Sequence, residues 1–408
     1  MKRKRKLILL ASFLGVVTAL VLLSLSGSAP ARAQVPTGTG NTIYLPMIMG
    51  GQPSKSFVVI GWNDLGMHCY DRDYSTLTVL PPYNNLFSQV IQRGDPPQVI
   101  TTGVTVSYSF PDNTYSAGKT NFWDYAFKIF GATLSPNMGL GGKGLAGSMD
   151  AAGNHFVAEG VPVTEFSDSA PTTPDYFQLA RMIVKDLSGT TLAQSDVVAP
   201  VSSEMRCDVC HNSPSPTNFR MNILQRHDNE EGTHLASQAN SGNPVLCSSC
   251  HADPALGMAG KPGLPSLSAA MHGKHAGETN NCYACHPGPN TQCLRDVMST
   301  QFGMTCTDCH QGGMQMLSNE NRTPWVDEPR CANCHDAKHA ENPGKLFKQS
   351  TGHGGLYCEA CHNSTHAILT SREAKDNLQS IALQGYAGTI GKCTVCHLTA
   401  PVSGGPHQ

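Results

Sequence analysis

The sequence predicts two regions of different character. The first is a β-rich N-terminal domain, sandwich-like, over residues 51–200. The second is a loop- and short-helix-rich domain with little regular secondary structure, over residues 201–408. Three observations carry this division. Short alternating apolar runs, bounded by turn residues, fill the first region. Long apolar-periodic runs are missing from the second, so its own side chains make a poor core and a small domain of that kind needs covalent or metal staples. Composition also changes abruptly: of 16 cysteines only Cys69 precedes residue 207, and of 17 histidines only His68 and His155 do. A boundary is therefore expected between Pro200 and Arg206.

Within the first region, Val104, Val106, Tyr108 and Phe110 alternate with Thr105, Ser107 and Ser109, which gives a strand with one wet and one buried face. Residues 57–60, 76–80 and 89–92 are further short strands. Residues 176–185 form another, and Ser188-Gly189 can turn it back into 191–199. A helix is expected over 121–130, with Asn121 as its cap, Trp123, Phe127 and Phe130 sharing a face, and Gly131 ending it. Two tempting motifs fail on spacing. Asp64, Asp71 and Asp73 do not match a calcium loop, and the glycine-rich 139–147 lacks the Lys-Ser/Thr of a phosphate loop.

Ahead of both regions, Lys2-Arg3-Lys4-Arg5-Lys6 is followed by an uncharged apolar stretch and then by Ala31-Arg32-Ala33. That order reads as a secretory signal peptide over residues 1–33, cleaved before Gln34, with a linker over 34–50. The alternative is an uncleaved membrane anchor. Either reading exports the rest of the chain to the periplasm, the cell surface or the extracellular space. The leader holds six of the 28 basic residues and no acidic one, which leaves 22 basic against 30 acidic and a net charge of −8. Such a balance argues against nucleic-acid binding and favours a basic partner.

The chemistry lies in one motif repeated seven times. C-x-x-C-H occurs as Cys207-Cys210-His211, Cys247-Cys250-His251, Cys282-Cys285-His286, Cys306-Cys309-His310, Cys331-Cys334-His335, Cys358-Cys361-His362 and Cys393-Cys396-His397. Shuffled sequence of this composition would yield roughly 0.03 such motifs. This is the c-type haem attachment pattern: each thiol bonds one vinyl group of a porphyrin, and the histidine that follows grips the iron as proximal ligand. Zinc sites use C-x-x-C pairs but not with a histidine fused to each one. A disulfide framework leaves the seven histidines unexplained, and a thioredoxin-like motif would occur once. Motif starts lie 40, 35, 24, 25, 27 and 35 residues apart. Haems that dense supply much of the apolar interior themselves and lie close enough for electrons to hop between them.

A carrier haem takes a second protein ligand. Outside the motifs the second region offers His227, His234, His272, His275, His339, His353 and His366, seven for seven irons once the terminal His407 is set aside. Met258, Met271, Met304, Met314 and Met316 are alternatives. Met271-His272-Gly273-Lys274-His275 can serve two neighbouring haems. His68, in Gly61-Trp62-Asn63-Asp64-Leu65-Gly66-Met67-His68-Cys69-Tyr70, either reaches a haem or belongs to a loop packed at the domain interface, and the loop is the favoured reading. Cys69 and Cys293 fall outside every motif and either pair with each other or stay as thiols.

From Cys207 to His397 the chain resembles exported multihaem c-type cytochromes. The resemblance rests on the seven motifs, on Gly352-His353-Gly354-Gly355-Leu356-Tyr357-Cys358 and on the stretch from Leu383 to Cys393; residues 61–70 also resemble a segment that precedes haem domains in such proteins. It implies electron transfer outside the cytoplasm through seven covalent haems c, with other redox proteins or a terminal acceptor as partners. Membrane association and self-assembly into filaments are further expectations. A multihaem oxidoreductase with one open-faced iron is the competing expectation. The Lys-ended motif typical of multihaem nitrite reductases is absent from the sequence.

Overall fold

The computed structural model describes residues 56–407, so the expected leader (1–33) and linker (34–50) lie outside the described residues. Between Phe57 and Ser202 the chain forms two five-stranded sheets. One sheet orders β1 (Phe57–Asn63), β3 (Asn84–Gln92), β8 (His155–Val161) and β7 (Asp150–Ala152), with β4 (Gln98–Ile100) paired to β3. The other orders β2 (His68–Cys69), β10 (Thr191–Ser202), β9 (Phe177–Asp186), β5 (Val104–Ser109) and β6 (Ala146–Ser148).

Side-chain alternation decides what each strand buries. Ala180, Met182 and Val184 of β9 point into a core shared with Val106 and Tyr108 of β5, Val197 and Ala199 of β10, and Leu86, Val90, Phe156 and Ala158 of the first sheet. Each large aliphatic side chain buried there contributes about 1.5–3 kcal/mol. β1 differs, being buried on both faces. Val59 enters the shared core, whereas Val58, Ile60 and Trp62 pack against Ala360, Ile390 and Val395 of the cysteine-rich region. A strand covered on both sides loses its polar face, which is why β1 reads as a continuous apolar run.

The expected strands over 57–60 and 89–92 fall within β1 and β3, those over 104–110 and 176–185 overlap β5 and β9 to within one residue, and the turn at Ser188-Gly189 leads into β10. Residues 76–80 form no strand. The backbone N–H groups of Val79 and Leu80 donate instead to Asp71 Oδ2, at 2.6 and 2.9 Å, so a carboxylate replaces the sheet partner. Helix α1 (Phe122–Phe130) ends at Gly131, left-handed at φ 67°, as expected. Its buried face is Phe122 and Ala126, however, and Phe127 is 66% exposed. Asn121 does not cap the helix with its side chain; its Oδ1 accepts the Tyr74 N–H at 2.8 Å, and its amide nitrogen donates to Asp73.

After Ser202 the chain turns to loops and short helices. The helices that matter below are α2 (Phe219–Glu231), α3 (Leu235–Asn240) and α4 (Leu267–His275). Among the described residues no helix is long and apolar enough to cross a membrane.

Candidate haem sites

All seven motifs fold into the same local shape. The first cysteine opens a single helical turn, of the tight 3-10 form in the first, second, third, fifth and seventh motifs and α-helical in the fourth and sixth. In six motifs the histidine N–H closes the turn on the first cysteine's carbonyl, at 2.8 to 3.0 Å; His211 with Cys207 and His251 with Cys247 mark the ends of that range. Residues at i, i+3 and i+4 of a helical turn share one face. The spacing therefore presents two thiols and an imidazole side by side, as a porphyrin bonded at both vinyl groups requires.

Six of the seven motif histidines meet a second histidine ring. His211 faces His275 with ring centroids 6.2 Å apart, His251 faces His227 at 6.3 Å, and His286 faces His272 at 6.0 Å. His310 faces His366 at 6.4 Å, His397 faces His353 at 6.1 Å, and His362 faces His407 at 5.9 Å. Two imidazoles holding one iron by bonds of about 2 Å place their centroids about 6 Å apart, so the pairs fit axial ligands of a haem. Among the described residues no three His, Cys, Asp or Glu side chains converge as a bare metal ion would require. Haem iron asks the protein for two ligands, since the porphyrin fills its plane.

Hydrogen bonds set which ring nitrogen is available. His251 Nδ1 donates to the Pro265 carbonyl at 3.0 Å, His272 to Ser268 at 2.7 Å, His275 to Met271 at 2.7 Å and His407 to Lys338 at 2.9 Å. A carbonyl only accepts, so the proton sits on Nδ1 and the lone pair is left on Nε2 for a metal. His211 Nδ1 is held likewise by Asn222 Oδ1 at 3.1 Å. Burial, aided by the neighbouring His272 and His310, pushes His286 down to about 4. Burial and then His310 do the same to His366. Both rings are thus neutral at neutral pH, the state a metal needs.

The structure places the histidines expected as second ligands unequally. His227, His272, His275, His353 and His366 each face a motif histidine. His234 and His339 do not: His234 is exposed at the start of α3, and His339 lies 5.2 Å from His407 and bonds Asp336 Oδ1 at 2.7 Å. His407, set aside for its terminal position, takes the place beside His362; sequence distance hid it, because only the tertiary path returns the terminus there. His68 Nε2 meets Asp64 Oδ1 at 2.9 Å and its ring packs on Tyr83, away from the motif histidines, as the favoured loop reading has it. Asp64, Asp71 and Asp73 bond separate groups and do not converge. Cys69 and Cys293 are thiols in the structure, not a disulfide. Burial, then the adjacent Cys293, pushes Cys69 up to about 12. Their segments are joined instead by the Ser202–Thr291 hydroxyl contact at 2.9 Å, beside the backbone pairing of Cys69 with Ser202.

The motifs adjoin one another in a definite order. Helix α2 links the first two: its Asn222 holds His211, and its His227 faces His251. Helix α4 links the first and third through His275 and His272, one turn apart. Beyond burial, the Cys207 thiol is raised by Cys285, Cys306 by Cys282, Cys309 by Asp296 and then Cys334, Cys331 by Glu341 and then Cys358, and Cys361 by Cys396. Each of these thiol pairs joins neighbouring motifs. The sequence of neighbours is second, first, third, fourth, fifth, sixth, seventh.

The β-rich region braces this array through the stretch 61–70, whose role the sequence left open. Gly61 exchanges two hydrogen bonds with Gln379, its N–H donating at 2.8 Å and its carbonyl accepting at 2.7 Å. Trp62 stacks near Tyr357, with centroids 5.5 Å apart. The Gly66 carbonyl accepts from Arg295 Nη1 at 2.6 Å. A Cβ on Gly66, at φ 72°, would lie 2.0 Å from the Thr365 carbonyl, so only glycine lets the strap pass beside His366. Arg93 donates to the Thr394 carbonyl at 2.9 Å in the seventh motif.

Comparison with family models, with characterised proteins and with solved structures finds no match to this chain.

Proposed function

We propose that this chain is an exported electron-transfer cytochrome that binds seven haems c, one at each C-x-x-C-H motif. The observation that carries the reading is the set of six facing histidine pairs, 5.9 to 6.4 Å between centroids, each joining a motif histidine to one elsewhere in the chain. The cysteine pairs would hold the porphyrins and the histidine pairs the irons. Bound haem supplies an iron that alternates between ferrous and ferric states. The protein fixes both axial rings of the first and second sites by hydrogen bonds, keeps buried rings such as His286 and His366 neutral and sets neighbouring sites side by side. Electrons then pass along the order second, first, third, fourth, fifth, sixth, seventh.

The two-sheet region, sandwich-like in this reading, serves as a platform that locks the sixth and seventh sites in place through Trp62 and Arg93. Other redox proteins or a terminal acceptor outside the cytoplasm are the partners, and the net charge of −8 after leader removal favours a basic one. Near-infrared magnetic circular dichroism of the oxidised holoprotein tests the reading. Low-spin bis-histidine bands from most of the haems are expected; predominant histidine–methionine ligation would overturn the assignment.

A further inference from the structure

Resting on that reading, we propose that the haem at Cys331-Cys334-His335 has an open axial face, which takes a small lone-pair donor such as carbon monoxide or nitric oxide on ferrous iron. The contrast within the molecule makes the case. Six motif histidines have a facing ring; His335, among the described residues, has none. Neither of the two remaining histidines of this region faces His335 among the described residues. His339 bonds the Asp336 carboxylate at 2.7 Å and lies against His407, which itself faces His362. His234 sits exposed at the start of α3, and its ring faces no motif histidine.

Access is as important as the missing partner. Residues 332–339 are exposed throughout, so a ligand of two or three atoms reaches the site from water without displacing a packed side chain. The fifth motif also lies between the fourth and the sixth, through Cys309–Cys334 and Cys331–Cys358. An iron there receives electrons from within the array, and a ligand bound to it would alter transfer across the middle of the path.

The test is carbon monoxide titration of the dithionite-reduced holoprotein, with electron paramagnetic resonance of the oxidised form. One high-spin haem in seven and one carbon monoxide per chain are expected, unchanged in His339→Ala and in His234→Ala. Seven low-spin haems without carbon monoxide binding overturn the proposal while leaving the electron-transfer reading intact. A rise in high-spin content in either alanine variant overturns it too, because that residue would then be the ligand. His335→Gly keeps both thioether cysteines and should change the recombination rate of the single adduct; an adduct identical to that of the parent protein places the open iron elsewhere.

Discussion

His366 faces His310 across 6.4 Å, with ring planes 21° apart and its own backbone in the left-handed region at φ 67°. That conformation is uncommon for a side chain of this size and marks a position fixed by its surroundings. The Arg295 N–H holds the His366 carbonyl at 2.9 Å, and Gly66 lies against the preceding residue. Replacing His366 by Ala removes the ring proposed as the second axial ligand and leaves the attachment cysteines untouched. The fourth haem is expected to become high-spin, adding one high-spin haem to the parent count by electron paramagnetic resonance.

Gly66→Ala reaches the same iron from the other side. The added Cβ would fall 2.0 Å from the Thr365 carbonyl, so the strap or the His366 loop must move. A loss of about 1–3 kcal/mol is expected from overpacking. Chemical denaturation measures it, and the fourth haem's low-spin signal should broaden in parallel.

His407→Ala tests the ligand that sequence position concealed. The sixth haem loses the ring facing His362 and should turn high-spin with little change in thermal stability, since His407 is exposed and near the terminus. An unchanged low-spin spectrum would remove His407 from the ligand set.

The buried pair Arg295–Asp376 lies within the second region, and Arg295 also donates to the Gly66 carbonyl of the first. Arg295 Nε and Nη2 meet the two Asp376 oxygens at 2.7 and 3.0 Å, and both side chains are almost fully buried. Arg295→Met strands a buried carboxylate. It is expected to destabilise the fold by about 3–5 kcal/mol, read from the denaturation midpoint.

Asp71 gives a dependence on pH. Burial pushes its carboxyl up from 3.8 to about 6, against the pull of the Val79 and Leu80 N–H groups. Between those values the folded chain binds more protons than the unfolded one, so this group's contribution falls as pH rises through the window and is level above it. Asp71→Asn should flatten that slope by an amount on the order of 2–3 kcal/mol, measured as unfolding free energy at about pH 4 and about pH 7.

Much of this arrangement was legible in the chain, for reasons that differ by level. The seven motifs are local, and one helical turn suffices to place each thiol pair beside its histidine, so Cys207 through His397 could be read directly. Strands such as β5 and β9 announced themselves because one face is wet. β1 was legible only in part, since its second face meets Ala360 and Ile390, which no local pattern encodes. Residues 76–80 misled because Asp71 satisfies their backbone in place of a strand. The second rings were legible in part: five of the seven histidines the sequence singled out face a motif histidine, His234 and His339 do not, and His407 does, because the chain path decides which ring comes back to a motif. The stretch 61–70 packs against the second region as the favoured loop reading expected, with Asp64 and His68 bonded to each other.

The most direct measurement is the intact mass and visible spectrum of the protein produced in a host competent for cytochrome maturation. A mass exceeding the polypeptide by seven haems, with a strong Soret band that survives denaturation and extraction, is the predicted result. A mass equal to the amino acids alone, with no Soret absorption, would contradict it.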